Sequence, residues 1–192
     1  MKITVWTVMM IVATGSAAYA GHDEAIAAHT VRVCSDYAPA KARSLVSSYI
    51  LAANMFERIG VKLEWRMRDC PAGALQIRLS TNTETGLKPG ALAYASPYDG
   101  THIVVFLDRI TRFEDDGLVT AVLAHVFAHE ITHILQATNR HALSGLMKAH
   151  WNRDDFLRMA SQPLSFTPDD IDLIYIGLER RESLLLTAVG TR

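Results

Sequence analysis

The stretch HVFAHEITHILQATNRHALSGLM, residues 125–147, sets His129, Glu130 and His133 in an otherwise apolar run. Residues four apart stand one above the other on one face of an α-helix. Two imidazoles placed that way can reach one zinc ion at about 2.0–2.1 Å. Glu130 lies beside the first imidazole but out of line with it, which suits contact with a water at the ion and not with the ion itself. In this HExxH arrangement the carboxylate takes the proton of the attacking water and passes it to the leaving amine. The competing reading is three ordinary polar residues of a helix. Against it, Val119, Val122, Leu123, Val126, Phe127, Ile131, Ile134 and Leu135 make the helix apolar nearly all round. An uncompensated carboxylate is costly there, and a metal gives these groups partners.

A catalytic zinc site takes a third protein ligand and leaves one position open. The metzincin pattern HExxHxxGxxH bends the chain at a glycine and returns a third histidine. Here Gln136 stands at the glycine position and Asn139, a poor zinc ligand, at the histidine position. His141 follows two residues later, and a loop longer by two residues can bring it to the same place. The bland alternative is a solvent-exposed loop histidine. In the gluzincin arrangement a later helix supplies a glutamate, and Glu179 and Glu182 are the only glutamates downstream. His141 ranks first. Gly145 and Met147 in SGLM then read as a tight turn carrying a methionine below the metal, against the alternative of a gap-filling core methionine.

AHEITHILQATNRHALSGLMKAHWNRDDF resembles a group of exported bacterial proteins regarded as metzincin-like zinc metallopeptidases. They carry HExxH, a third histidine eight residues on, and a Gly-Ile/Leu-Met turn followed by a tryptophan. The similarity runs over most of the mature chain, including HIVVFLDRI and LSFTPDDI, and its specific part is residues 129–151. The resemblance implies a zincin fold, zinc held by His129, His133 and His141, Glu130 as the base, and Met147 as the Met-turn residue. Relatives often carry a small residue or glycine where Thr132 and Gln136 lie, so the end of the helix is expected to differ here. His125, four before His129, is read as a buried, hydrogen-bonded histidine, and His150 as a surface or packing residue. Tyr94 and Tyr98 are read as packing residues on or after an edge strand, the edge at which zincins receive an extended substrate.

The elements that must position this site follow from periodicity. Residues 29–37 alternate as a first strand. A helix starts near Pro39 and carries Ala42, Leu45, Val46, Tyr49, Ile50, Ala53 and Phe56 at helical spacing, so that one face is expected to pack on a core before the helix stops at Gly60. Residues 61–67 and 75–79 alternate as half-buried strands, 91–95 is a weaker strand, and 102–107 is a continuous apolar strand. The active-site helix is expected over 118–138, a short helix over 154–159, and a last helix from the Thr167-Pro168-Asp169-Asp170 start to about residue 186. Strands and helices in this order predict one α+β domain, residues 21–192, with a twisted mixed sheet, an early helix, a buried active-site helix and C-terminal helices.

The chain has 192 residues, 20% of them charged, and a net charge of -1, which argues against nucleic acid as a partner. Residues 1–20 read as a secretory signal cleaved after Ala20, too short and too interrupted for an anchor. No later stretch is read as long and apolar enough to span a bilayer. The protein is therefore expected to be secreted or periplasmic, with no stable membrane anchor. Cys34 and Cys70 are expected to form a disulfide in that compartment, against two separate buried thiols. The expected function is zinc-dependent hydrolysis of a peptide or protein substrate. The rivals are a non-catalytic zinc module, whose fourth ligand would come from His125 or His150, and a hydrolase of a non-peptide amide.

Overall fold

Alternating apolar and polar residues give a strand one face for the core and one for water. In the computed structural model, residues 29–36, 42–82, 86, 90–98, 100–113 and 115–190 are described. The expected signal segment and the helix start at Pro39 lie outside them. Strands β1 (His29–Ser35), β2 (Val61–Arg66), β3 (Leu75–Ser80), β4 (Ala93–Ala95) and β5 (His102–Phe106) form one sheet in the order β2-β1-β3-β5-β4. All neighbours are parallel except β4, which runs antiparallel to β5 at the edge. Val33, Leu63, Leu75, Ile77, Ile103 and Val105 are buried on the inner face. Thr30, Arg32, Lys62, Arg78 and His102 are exposed.

Two helices cover the inner face. Helix α1 (Ala42–Glu57) packs on β2, and α3 (Asp116–Gln136) packs on α1, β4 and β5. Tyr49, Trp65 and Phe127 join the layers, with ring centroids 4.4 Å apart for Tyr49–Trp65 and 5.3 Å for Tyr49–Phe127. Cys34 and Cys70 are disulfide-bonded, with Cα atoms 5.9 Å apart, tying β1 to the segment after β2. A bridge closing a loop of this size typically stabilises by about 2–4 kcal/mol.

The core face of α1 is displaced from the sequence expectation: Ser48, Ala52 and Met55 join Leu45, Tyr49 and Phe56 in the buried stripe, while Val46 and Ile50 lie to one side of it and are exposed. Several boundaries also differ. Leu107 leaves the strand and opens a single helical turn, α2 (Leu107–Ile110), which Thr111 closes by donating its N–H and hydroxyl to the Leu107 carbonyl. Residues 91 and 92 precede β4, although the Leu92 carbonyl still accepts from Phe106. Helix α3 is long and apolar enough to cross a membrane, contrary to the reading that no such stretch follows residue 20. The fold accounts for that composition: the qualifying window is 89% buried, so α3 is the core helix.

Helix α4 (Arg153–Ser161) begins in a reciprocal capping box between Asn152 and Asp155. Helix α5 (Pro168–Gly190) begins in a similar exchange: Asp170 N–H donates to Thr167 Oγ1, and Thr167 N–H to the Asp170 carboxylate at 3.0 Å. Tyr175 then donates to the Ile59 carbonyl, Arg181 to the Gly100 carbonyl, and Glu182 pairs with His29 at 2.8 Å. These contacts lay α5 across the starts of the strands.

Where α5 crosses α3, Gly177 permits the approach, since a Cβ there would strike the Leu135 carbonyl. Both groups belong to helix backbones and cannot rotate away. Gly177→Ala is therefore expected to cost about 3 kcal/mol or more, despite alanine's higher helix propensity. Urea denaturation checks this, and a neutral or stabilised variant would contradict the close crossing.

Candidate metal centre

Helix α3 ends at Gln136, three residues after His133, and the manner of its ending builds the site. Ala137 takes a left-handed conformation with φ 50°, a position glycine usually fills. The bend falls one residue after Gln136 and without glycine. It turns the chain so that the Thr138 carbonyl accepts from His133 Nδ1 at 2.9 Å. Arg140 pins the returning loop by pairing with the buried Asp170 at 2.9 Å. His141 then reaches the two helical histidines, with ring centroids 5.3 Å from His129 and 4.8 Å from His133.

A second turn follows. Ala142 N–H donates to the Met147 carbonyl at 2.7 Å, and Leu146 N–H to the Ser165 carbonyl at 2.9 Å. Gly145 sits at φ +74°, where any Cβ would strike that Ser165 carbonyl. The Leu146 carbonyl accepts from His129 Nδ1 at 3.0 Å and from Trp151 Nε1 at 3.2 Å. Leu146 and Met147 are both wholly buried.

These bonds settle the tautomers. A carbonyl oxygen only accepts, so Nδ1 of both helical rings carries the proton and each neutral ring presents a lone pair at Nε2. The two Nε2 atoms are 3.0 Å apart. Two lone pairs at that distance repel unless a cation lies with them. Burial, then the neighbouring His133, pushes His129 down to about 3, and burial pushes His133 down to about 4. A shared proton is thus disfavoured at neutral pH, and the donor set fits a metal ion of the kind imidazole binds. His129, His133 and His141 offer ligand atoms all within 4.8 Å of one another. Among the described residues, no further His, Cys, Asp or Glu joins this cluster. His141 is exposed, so the cluster has a side open to solvent.

Glu130 is 8% exposed. Burial alone pushes its carboxyl up to about 8. The other candidates fall elsewhere. His125 uses both ring nitrogens, donating from Nδ1 to the Ala121 carbonyl at 2.6 Å and accepting the Leu164 N–H at 3.0 Å. His150 and Asn139 are exposed and outside the cluster. Glu182 faces His29, and neither it nor Glu179 joins the cluster. Tyr94 packs on Phe106, and Tyr98 is 78% exposed. Gln136 donates to the Asp170 carbonyl, while its buried Oε1 has no partner.

Sequence reasoning missed the Thr138 and Leu146 carbonyls, because backbone acceptors carry no residue signature. It also missed the left-handed Ala137, which no glycine announces. Trp151 entered only through the resemblance; its ring edge lies against His129 at 5.4 Å.

Neither a scan against protein-family models nor a search of curated proteins finds a match to the chain. Among solved structures, the chain is similar to archaemetzincin from Methanopyrus kandleri, with TM-score 0.56 and 14% identity over 80% of this chain and 98% of that one. It is also similar to archaemetzincin from Archaeoglobus fulgidus, solved with malonate, with TM-score 0.49 and 15% identity over 76% and 99% of the two chains. The mixed α/β architecture with its twisted mixed sheet matches the archaemetzincin fold.

His125 supplies a test of the site's supporting layer. Burial lowers its pKa from 6.5 to about 4 against the opposing bond to Ala121. The folded state therefore favours the neutral ring, and this contribution is complete above pH 6.5 and is lost as pH falls towards 4. In zinc-free protein, the stability of wild type relative to His125→Gln should be flat above pH 7. It should then fall by about 2–3 kcal/mol on approach to pH 4. Urea midpoints across that range give the difference, and parallel curves for the two proteins would contradict it.

Proposed function

We propose that the protein is a zinc-dependent metallopeptidase, with His129, His133 and His141 as ligands and Glu130 as general base and acid. The observation that carries this reading is the 3.0 Å approach of two Nε2 acceptors beside a third imidazole. The likeness of the fold to archaemetzincin supports it. A zinc ion in this cluster supplies Lewis-acid polarisation of a carbonyl and lowers the pKa of a water to about 7.

The chain's own residues divide the remaining work. The Leu146 and Thr138 carbonyls hold the two helical rings with Nε2 forward and raise their basicity as ligands. Glu130 accepts the proton of the attacking water and returns it to the leaving amine. Burial raises its affinity for protons, and a cation held by the neighbouring histidines would favour the carboxylate form that accepts one. The buried Met147 forms the floor of the turn that follows the third ligand. Three protein donors with one exposed side suit a reacting centre better than a closed structural site, which takes four. Short edge strand β4 is the side on which an extended peptide would lie. The leader-like segment 1–20 and the Cys34–Cys70 bridge support a secreted or periplasmic protein.

Zinc content and hydrolysis of a mixed peptide library test the reading together. Wild type and Glu130→Ala are each expected to hold one zinc, with turnover falling by about 100-fold or more in the variant. His141→Ala should lose zinc affinity and Asn139→Ala should keep it. Equal turnover by wild type and Glu130→Ala would refute the assigned base. Bound zinc without turnover of any peptide would favour a non-catalytic zinc module.

A further inference from the structure

Three hydrogen bonds connect a histidine outside the metal cluster to a ring inside it, and a fourth sets that histidine's tautomer. His125 Nδ1 donates to the Ala121 carbonyl at 2.6 Å, which leaves Nε2 as an acceptor. Leu164 N–H fills it at 3.0 Å. One residue on, the Ser165 carbonyl accepts Leu146 N–H at 2.9 Å. The Leu146 carbonyl, on the far side of that residue, accepts His129 Nδ1 at 3.0 Å. Residues 163–166 are thus a strap, bonded on one side to α3 and on the other to the turn that orients His129. Trp151 braces the same path, with its ring edge against His125 at 6.3 Å and against His129 at 5.4 Å, and its N–H on the Leu146 carbonyl.

We propose that His125 is a positioning residue of the metal centre: its Nε2 acceptor docks the 163–166 strap on α3 and so fixes the Leu146 carbonyl that aims His129. The inference rests on the zinc reading above. An apolar residue could fill the volume of this fully buried ring. It could not receive the Leu164 N–H, which would be left buried without a partner. Relief of that fault requires the strap to move, and the Ser165 carbonyl moves with it. Gly145 leaves little room, because the Ser165 carbonyl lies against the place where a Cβ at this position would stand. Displacement therefore passes to the Leu146 peptide and from there to the ring of His129.

Zinc affinity by chelator competition, with near-UV circular dichroism as the check on folding, separates this role from simple packing. His125→Phe keeps the ring volume and removes the acceptor; His125→Gln offers Oε1 in its place. Weakening of zinc binding by about 10–100-fold is expected for Phe, the range typical of groups that orient a ligand, with recovery to within about threefold for Gln. A folded Phe variant with wild-type affinity would overturn the proposal, as would a Gln variant as weak as Phe.

Should the Phe variant not fold, wild type decides the matter. Nitrogen-15 imidazole spectra are expected to show His125 protonated at Nδ1, with zinc slowing hydrogen exchange at the Leu146 and Leu164 amides. Protonation at Nε2, or exchange indifferent to zinc, would overturn the relay. Failure of wild type to bind zinc at all would instead sink the metal reading on which the relay rests.

Discussion

Two lone pairs face each other across 3.0 Å at the end of helix α3, and much of the molecule is arranged to keep them there. Left alone, His129 and His133 would relieve the repulsion by rotating or by changing tautomer. Both escapes are blocked. Each Nδ1–H is committed to a backbone carbonyl, and each ring is buried. Protonation is opposed by the same burial. A divalent cation would remove the conflict, and His141 lies on the exposed side with a ligand atom within reach of the same ion. The apolar helix is thus part of the chemistry, since it keeps both imidazoles neutral and correctly turned.

The carbonyls that lock the rings come from two turns of different construction. The first is a left-handed helix end at Ala137, a conformation that costs a non-glycine residue on the order of 1 kcal/mol. The Arg140–Asp170 pair and the Thr167–Asp170 exchange bind the returning loop to the start of α5 and hold that strained end in place. The second turn depends on Gly145, whose missing side chain lets the Leu146 peptide press on Ser165. Both turns lean on the segment 163–170, so the start of α5 supports both carbonyls. The close packing of α5 on α3 at Gly177 belongs to the same support.

Much of this was legible in the sequence. The i, i+4 histidines with their flanking glutamate, the all-round apolar helix and the alternation of the strands carry strong periodic signals. The structure realises them as α3 and as the parallel part of the sheet. His141 could be ranked first because the alternatives, Asn139, Glu179 and Glu182, were few and chemically or positionally poor. The Thr167–Asp170 helix start was equally readable, since its reciprocal capping needs specific residues three apart. Other features were hidden for identifiable reasons. Leu107 belongs to an unbroken apolar run, and composition does not say where a strand gives way to a helical turn. Helix α3 passes for a membrane span by composition, and only its burial inside the fold identifies it as core. Ala137 bends without glycine because tertiary contacts outweigh its propensity. The strap through Leu164 and Ser165 acts by backbone groups, which every residue possesses.

The central claim is that three imidazoles hold one zinc ion and leave a position for a small oxygen ligand. X-ray absorption at the zinc edge of the purified, zinc-loaded protein addresses it directly. The account predicts three histidine nitrogens and one further light atom at about 2.0–2.1 Å, with the third imidazole lost in His141→Ala. A shell containing fewer than three imidazoles, or one closed by a fourth protein side chain, would contradict it.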